Sequence, residues 1–445
     1  MGLVKSLDGA TGRAMQPEGC RGEAGSEDIA DSRDRASVAT TSPRTPKRTA
    51  PVHDWARDFD LLDAGYVTDP FGVWDELRRT CPIAHSRRRG SDWLPTRYDD
   101  ITAMAHDPDH FSSADVIVIP LEIDRSDRSV LPFGFPPISA DPPLHTWTRR
   151  LILPWFSHRR VAQYEELTRD LCRGLIDGFV TEGQTDAAAD YAQQIPVRVI
   201  AHILGVQAEL ADTFTGWVRD VLEFADDMDR RIKAIEALIA YFVSQVEHRR
   251  RNPGDDLLSF LLQTEVDGEP VEEGIVLGVA ALVLIAGVDT TWSAIGSSLW
   301  HLATHGADRK QLTEDPGLMP LAVEEFLRAY APVTMARVVT EDLQFGGCPM
   351  KAGDKVLMNF PAANRDPAVF EDADTVVLDR AHNRHLAFGA GIHRCAGSNL
   401  ARMELRVALE EWLRRIPDFQ LADGAAITWA GGQVRGPRLL PVVFP

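Results

Sequence analysis

Between Phe388 and Gly397 the chain reads FGAGIHRCAG, and the cysteine in this stretch, Cys395, sits where a sulfur could be made to do metal chemistry. A thiolate binds a metal when backbone N–H groups and a helix N-terminus stabilise its charge. Gly389, Gly391 and Gly397 let the backbone close tightly around Cys395, and SNLARMELRVALEEWLRRI opens a helical pattern directly after it. The loop is built to present one sulfur. The alternative for any free cysteine is a small core hydrophobe. The five cysteines (Cys20, Cys81, Cys172, Cys348, Cys395) are odd in number and lack CxxC spacing, which fits neither a disulfide framework nor a zinc site. A reducing, cytoplasmic location suits them best.

Phe388, Gly389, Gly391, His393, Cys395 and Gly397 match, at every position, the FGxGxHxCxG heme loop of the cytochrome P450 family. The chain resembles that family over nearly all of residues 55 to 445. The resemblance implies a single large domain of mainly α class with small β-sheets, the cytochrome P450 fold, holding heme b between a long central helix and the cysteine loop. Cys395 would be the axial thiolate of the iron, which favours cleavage of a bound O–O bond. Phe388 would pack beside the sulfur, and the glycines would admit N–H contacts to it.

Further motifs follow in the family's order. AGVDTT puts Ala286, Gly287, Asp289, Thr290 and Thr291 where the family has its oxygen-activation motif. There Asp289 would gather protons and Thr290 would position oxygen and its water, an acid beside an alcohol being able to relay protons without flooding the site. EEFLR carries Glu325 and Arg328 at i,i+3, one face of a helix. In the family this pair joins a later arginine, here Arg380, in a buried structural network. HTWTR sets His145 and Arg149 at i,i+4, Arg337 opens a strand pattern, and His393 lies two residues before the cysteine. All four match positions that contact heme propionates in relatives.

The elements that must position these residues are also visible. IVLGVAALVLIAGV, Ile275 to Val288, is shorter than the roughly 20 apolar residues of a membrane span. It runs on through DTTWSAIGSSLWHLATHG, making a helix of about nine turns. Apolar nearly all round, it belongs in the middle of a large core, with no transmembrane anchor expected. Ile83–Ser86 and Trp93–Thr96 flank a Gly-Ser turn and predict a hairpin. A second strand region from Arg337 to Asn359 turns at Gly346-Gly347 and Ala352-Gly353.

The chain has 445 residues, 44% hydrophobic and 25% charged, as a folded globular body requires. Its formal net charge of -19 disfavours nucleic acid and anionic lipid surfaces. Residues 1–50, rich in Gly, Ser, Thr and charge, read as a disordered tail, and residues 51–445 as the heme domain. The tail's MGLVKS start fits the simple myristoylation pattern, which is too short to carry weight.

No flavin or iron–sulfur segment follows the last helix, so electrons are expected from outside. In relatives of this kind they come from a ferredoxin and ferredoxin reductase. Arg394, Arg402 and Arg406, with Arg149, Arg150, Arg159 and Arg160 adjoining, would form a local basic patch for an acidic ferredoxin. The family's pocket walls map to 116–137, the helices around Phe214 to Phe242, Ile285, Val288, 333–335 and 432–434. VIVIPLEI and LPFGFPP are apolar, which points to a hydrophobic small-molecule substrate. Arg125 and Arg128 read as solvated loop charges rather than substrate contacts. The expected reaction inserts one oxygen atom of O2 into that substrate, by hydroxylation or epoxidation.

Overall fold

The computed structural model describes residues 51–119 and 134–445. The expected tail and the pocket-wall residues 120–133, with Arg125 and Arg128, lie outside the described residues. Helices α1 (Tyr98–Ala105), α2 (Leu144–Ile152), α3 (Glu165–Phe179), α4 (Gln194–Leu204), α5 (Ala211–Leu222), α6 (Met228–Arg251), α7 (Glu273–Thr304), α8 (Met319–Ala329) and α9 (Ser398–Arg415) follow in chain order, with shorter helices and turns between them.

Helix α7 is the axis of the molecule. Its 32 residues match the nine turns expected from the sequence, and most of its side chains are buried on all sides. By length and composition it could cross a membrane, but it lies largely inside the protein. A helix can be surrounded this way only if its neighbours approach closely, and glycines provide the room. A Cβ on Gly278 would sit 2.5 Å from the Gly134 carbonyl oxygen, and one on Gly296 would sit 2.8 Å from Pro437 Cγ. Helices α4, α5, α6 and α9 pack against α7, and α9 packs in turn on α3.

The predicted hairpin forms as β1 (Ile83–Ser86) and β2 (Asp92–Pro95), with Ile83 opposite Pro95 and Ser86 opposite Asp92. Short β3 (Phe111–Ser112) precedes the second strand region, which holds β4 (Met335–Val339), β5 (Leu343–Phe345), β6 (Cys348–Met350) and β7 (Lys355–Met358). Gly346 and Gly347, both at positive φ, make the β5–β6 turn the sequence predicts. The five-stranded sheet has the order β1-β2-β7-β4-β3. Near the C-terminus β8 (Thr428–Ala430) pairs antiparallel with β9 (Gly436–Leu439), which reaches back to α7. The largest core surrounds α7, and two smaller apolar cores flank the sheet.

Candidate functional site

The cysteine loop is shaped by backbone that only glycine adopts easily. Gly389 and Gly391 have φ +67° and +68°. A Cβ at Gly391 would meet the Ala105 carbonyl oxygen of α1 at 2.0 Å, so this position tolerates no side chain. Gly397 differs: its φ of -83° is ordinary, and a Cβ there would lie 3.9 Å from Cys395 Sγ. The Cys395 N–H donates to the Phe388 carbonyl at 2.8 Å, which closes the loop immediately before α9 begins.

Cys395 is accessible to solvent, yet its sulfur is surrounded by protein, and burial pushes the thiol up. Both hold when a sulfur faces a cleft inside the molecule. The backbone of Gly397 and the charges of Arg149, Arg394 and Arg402 act in the opposite direction and favour the thiolate. Phe388 is partly buried beside the loop, with the Arg402 guanidinium 4.5 Å from its ring centre.

The structure brings His145, Arg149, Arg337 and His393 together around this loop from three separate stretches of chain. The rings of His145 and His393 lie 4.2 Å apart. Arg149 Nη2 donates to the Arg394 carbonyl. Arg337 is buried, its Nη1 donating to the Ala336 carbonyl at 2.7 Å, and burial holds its pKa down to about 10. His393 is pushed down to about 2, first by burial and then by Arg337, His145 and Arg149, and its Nε2 has no hydrogen-bond partner. Burial and Arg149 likewise lower His145, whose ring nitrogens make no well-formed hydrogen bond although the Ile392 backbone is near enough to oppose the shift. The Asp141 carboxylate opposes the shifts of Arg337 and His145 but is itself engaged by Ser112 Oγ and the Ser113 N–H. Such a group of buried and half-buried nitrogen groups, short of acceptors, complements a ligand bearing carboxylates. Beside an accessible sulfur, it fits heme with its two propionates.

Within the buried length of α7, Leu282, Ile285, Ala286, Gly287, Thr290 and Ala294 remain partly accessible. Their three- and four-residue spacing makes one stripe on the helix. Thr290 Oγ1 donates to the Ala286 carbonyl at 2.7 Å. Gly287, also partly accessible, has α4 close against it: a Cβ there would lie 2.5 Å from Ile200 Cδ1, so the missing side chain lets α4 approach. Val288, expected in the pocket wall beside Ile285, is fully buried: three residues beyond Ile285, it stands about 60° round the helix from it, off the edge of the stripe and in the core. Thr291 is buried too. In β4 the strand alternation puts Met335 and Arg337 on one face and Ala336 on the other, and Val333, just before the strand, bridges to Val434.

Asp289 is buried on the flank of α7. Its Oδ1 accepts from Arg438 Nη2 at 2.6 Å, and its Oδ2 has no partner. Burial raises its pKa to about 6, Arg438 lowers it, and Glu223 raises it. Arg438, on β9, was not singled out in the sequence, where no motif surrounds it.

Glu325 and Arg328 are both fully buried and doubly bonded, at 2.7 and 2.8 Å. Arg380 Nε joins Glu325 at 3.0 Å, as expected, and Asn383 Nδ2 adds a further donor at 3.0 Å. Arg328 also donates to the carbonyls of Asn364, Ala373 and Thr375, tying down the chain that leads into the cysteine loop.

The expected basic patch is smaller than the sequence suggests. Arg402 is held by Glu324 and Arg406 by Glu165 and Glu410, while Arg160 meets Asp255 at 3.3 Å. Burial acts to raise Glu324, but Arg402 and His385 outweigh it and keep the carboxyl at about 2. Arg150, Arg159 and Arg394 stay exposed, with no carboxylate partner among the described residues.

A family model described as cytochrome P450 matches residues 197–420. The chain is 36% identical over 383 residues to the mycinamicin IV hydroxylase/epoxidase of Micromonospora griseorubida, covering 84% of this chain and 95% of that one. It is 36% identical to the vitamin D(3) 25-hydroxylase of Pseudonocardia autotrophica (86% and 96% covered) and 34% to a steroid C26-monooxygenase of Mycobacterium tuberculosis (87% and 98%). Among solved structures, the cytochrome P450 CYP109Q5 of Chondromyces apiculatus superposes with a TM-score of 0.78 at 33% identity, over 87% of this chain and 98% of that one.

Proposed function

This chain belongs to the cytochrome P450 family, oxidoreductases that use heme iron and O2 to oxygenate hydrophobic substrates, and from that premise we propose how its residues serve the reaction. Cys395 is the thiolate ligand of heme b, set by the Gly389–Gly391 backbone and favoured by the charges of Arg149, Arg394 and Arg402. His145, Arg149, Arg337 and His393 hold the propionates. Their convergence beside the sulfur, short of acceptors, is the observation that carries this reading. Phe388, Gly389, Gly391 and Gly397 shape the sulfur's surroundings, Ala286 lies on the accessible stripe of α7, and Gly287 sets how closely α4 packs there.

When bound, heme supplies the reductive activation of O2, which thiolate ligation assists. The chain's own contribution is proton delivery and exclusion of water. Thr290 presents its hydroxyl on the accessible stripe, held to the Ala286 carbonyl, where it can pass a proton by turning away from that bond. Asp289, one residue earlier, can hold and release a proton near neutral pH because burial has raised it to about 6. Glu325, Arg328 and Arg380 are structural.

Electrons come from a separate ferredoxin and its reductase, docking where Arg150, Arg159 and Arg394 are free to meet acidic groups, and the protein works in the cytoplasm. The substrate is a hydrophobic small molecule, hydroxylated or epoxidised. Relatives named for mycinamicin IV, vitamin D(3), a steroid and a methyl-branched lipid support a bulky, largely apolar one. Visible absorption of the purified ferric protein, titrated with sterols, macrocycles and long-chain fatty acids, tests this. A low- to high-spin shift with one class names the substrate; a protein that binds no heme, or keeps it in Cys395→Ala with unchanged absorption, refutes the site.

A further inference from the structure

One carboxylate joins the two arms of the cysteine loop. Glu324, on α8, accepts from Arg402 Nε and Nη2 at 2.5 and 2.8 Å and lies 3.0 Å from His385 Nε2. His385 belongs to the chain that enters the loop, and Arg402 to α9, which leaves it. The His385 ring passes the contact on: its Nδ1 accepts the Ala387 N–H at 3.2 Å, as a ring that carries its proton on Nε2 and donates it to Glu324 can do. Phe388 comes next, and its carbonyl is the one that accepts the Cys395 N–H. The Arg402 guanidinium lies over the Phe388 ring at 4.5 Å from its centre, and the His385 ring stands 5.9 Å from it. Glu324 therefore grips Phe388 twice, at its ring through Arg402 and at the preceding N–H through His385. The adjacent Glu325 is engaged elsewhere, by Arg328, Arg380 and Asn383.

Arg402 is also set apart by charge. Arg149, Arg394 and Arg402 all favour the Cys395 thiolate, and among the described residues Arg402 is the one of the three paired with a carboxylate. A planar guanidinium forked onto a carboxylate and lying over a ring face has little freedom to turn away. Its charge is delivered at a fixed place, and Glu324 offsets it there.

We propose that Arg402 and Glu324 are positioning residues for the thiolate: their ion pair seats the loop through Phe388 and sets how readily the iron bound at Cys395 is reduced. Reduction adds negative charge beside the sulfur, so the Arg402 cation favours it and the Glu324 carboxylate opposes it. The two side chains are 29% and 28% exposed, and screening by water keeps each effect modest.

The inference rests on Cys395 as the heme ligand, and its test reads an equilibrium rather than turnover. Spectroelectrochemical titration of the full-length holoenzyme gives the midpoint potential. At a given potential Arg402→Met should lower the ratio of ferrous to ferric protein by about threefold to tenfold, and Glu324→Gln should raise it by as much, about 30–60 mV each at about 59 mV per tenfold for one electron. Arg402→Lys, which keeps the charge without the fork, should stay nearer wild type than Arg402→Met does. A loop that was merely loosened would move all three variants the same way. Midpoints that stay put, or that move in one direction in Arg402→Met and Glu324→Gln, overturn the inference, as does an Arg402→Lys value equal to that of Arg402→Met. That last comparison decides alone where Glu324→Gln does not accumulate. Visible absorption of the carbon monoxide complex, taken on the same samples, reports whether a thiolate holds the iron. A wild-type protein without that ligand refutes the assignment of Cys395 instead, so the two readings fail separately.

Discussion

Replacing Arg328 by alanine would break a charge pair that has no access to water. Arg328 and Glu325 are fully buried, and two short hydrogen bonds join them. Removing one partner of a buried pair costs about 3–5 kcal/mol, since the remaining charge is stranded. Arg380 and Asn383 would still reach Glu325 at 3.0 Å each, which favours the lower end, about 3 kcal/mol. The carbonyls of Asn364 and Ala373 would also lose this donor, and that of Thr375 would keep only Arg380 Nη2 at 3.5 Å, at about 1 kcal/mol each if water enters the space. Together this approaches about 6 kcal/mol, against a total stability of about 5–15 kcal/mol for a typical domain. Arg328→Ala should therefore accumulate poorly or unfold at far lower urea. Arg328→Lys keeps the charge but not the fork, and should fall between. Arg380→Ala should lose about 1–2 kcal/mol, because its side chain is 10% exposed and Glu325 keeps its main partner. Urea unfolding of the three variants, followed by circular dichroism, gives their order. An Arg328→Ala midpoint within about 1 kcal/mol of wild type would refute the account of a stranded charge.

Gly391→Ala should abolish heme retention, measured as the ratio of heme to protein absorbance, because its Cβ would strike the Ala105 carbonyl at 2.0 Å; Gly397→Ala, with 3.9 Å of clearance and φ -83°, should retain most of it. Glu404 is buried, its Oε1 lacks a partner, and burial lifts its pKa from 4.5 to about 8. Because the folded value lies above the unfolded one, its contribution to stability is intact below pH 4.5 and is lost as pH rises toward 8. Glu404→Gln should thus match wild type in acid and exceed it increasingly up to about pH 8, by several kcal/mol at about 1.4 kcal/mol per tenfold change in proton affinity; parallel stability curves across that range would contradict this. Arg394→Glu should slow reduction by an acidic ferredoxin several-fold at low salt and less at high salt, whereas Arg402→Glu should chiefly disturb Glu324; stopped-flow reduction at two ionic strengths separates them.

Where function depends on local spacing, the sequence was readable. The FGxGxHxCxG run, the nine-turn apolar helix and the Gly-Gly turn of β5–β6 each impose a short-range pattern, and each forms as expected. What escaped was set by long-range packing. Arg438 stands 149 positions from Asp289 in a stretch with no periodic pattern. Glu404 lies on α9 among Arg402, Arg406, Glu410 and Glu411, and nothing in that spacing sets it apart, yet it is buried. Val288 falls beside the accessible stripe of α7, and about 60° of rotation decides whether such a position meets the cleft or the core, while Gly287 is set by the close approach of α4. The basic patch was overestimated for a related reason: counting arginines ignores the carboxylates that the fold brings to Arg402, Arg406 and Arg160.

The contact between Arg149 and the carbonyl of Arg394 joins residues 245 positions apart. On a ribosome adding about 5–20 residues per second, the first waits roughly 12–50 s for the second. Gly391 must likewise settle against Ala105, made earlier still. In the proposed site, the half-built cradle of His145 and Arg149 would thus spend most of synthesis without the sulfur that completes it, and heme capture would become one of the last events in the maturation of the chain.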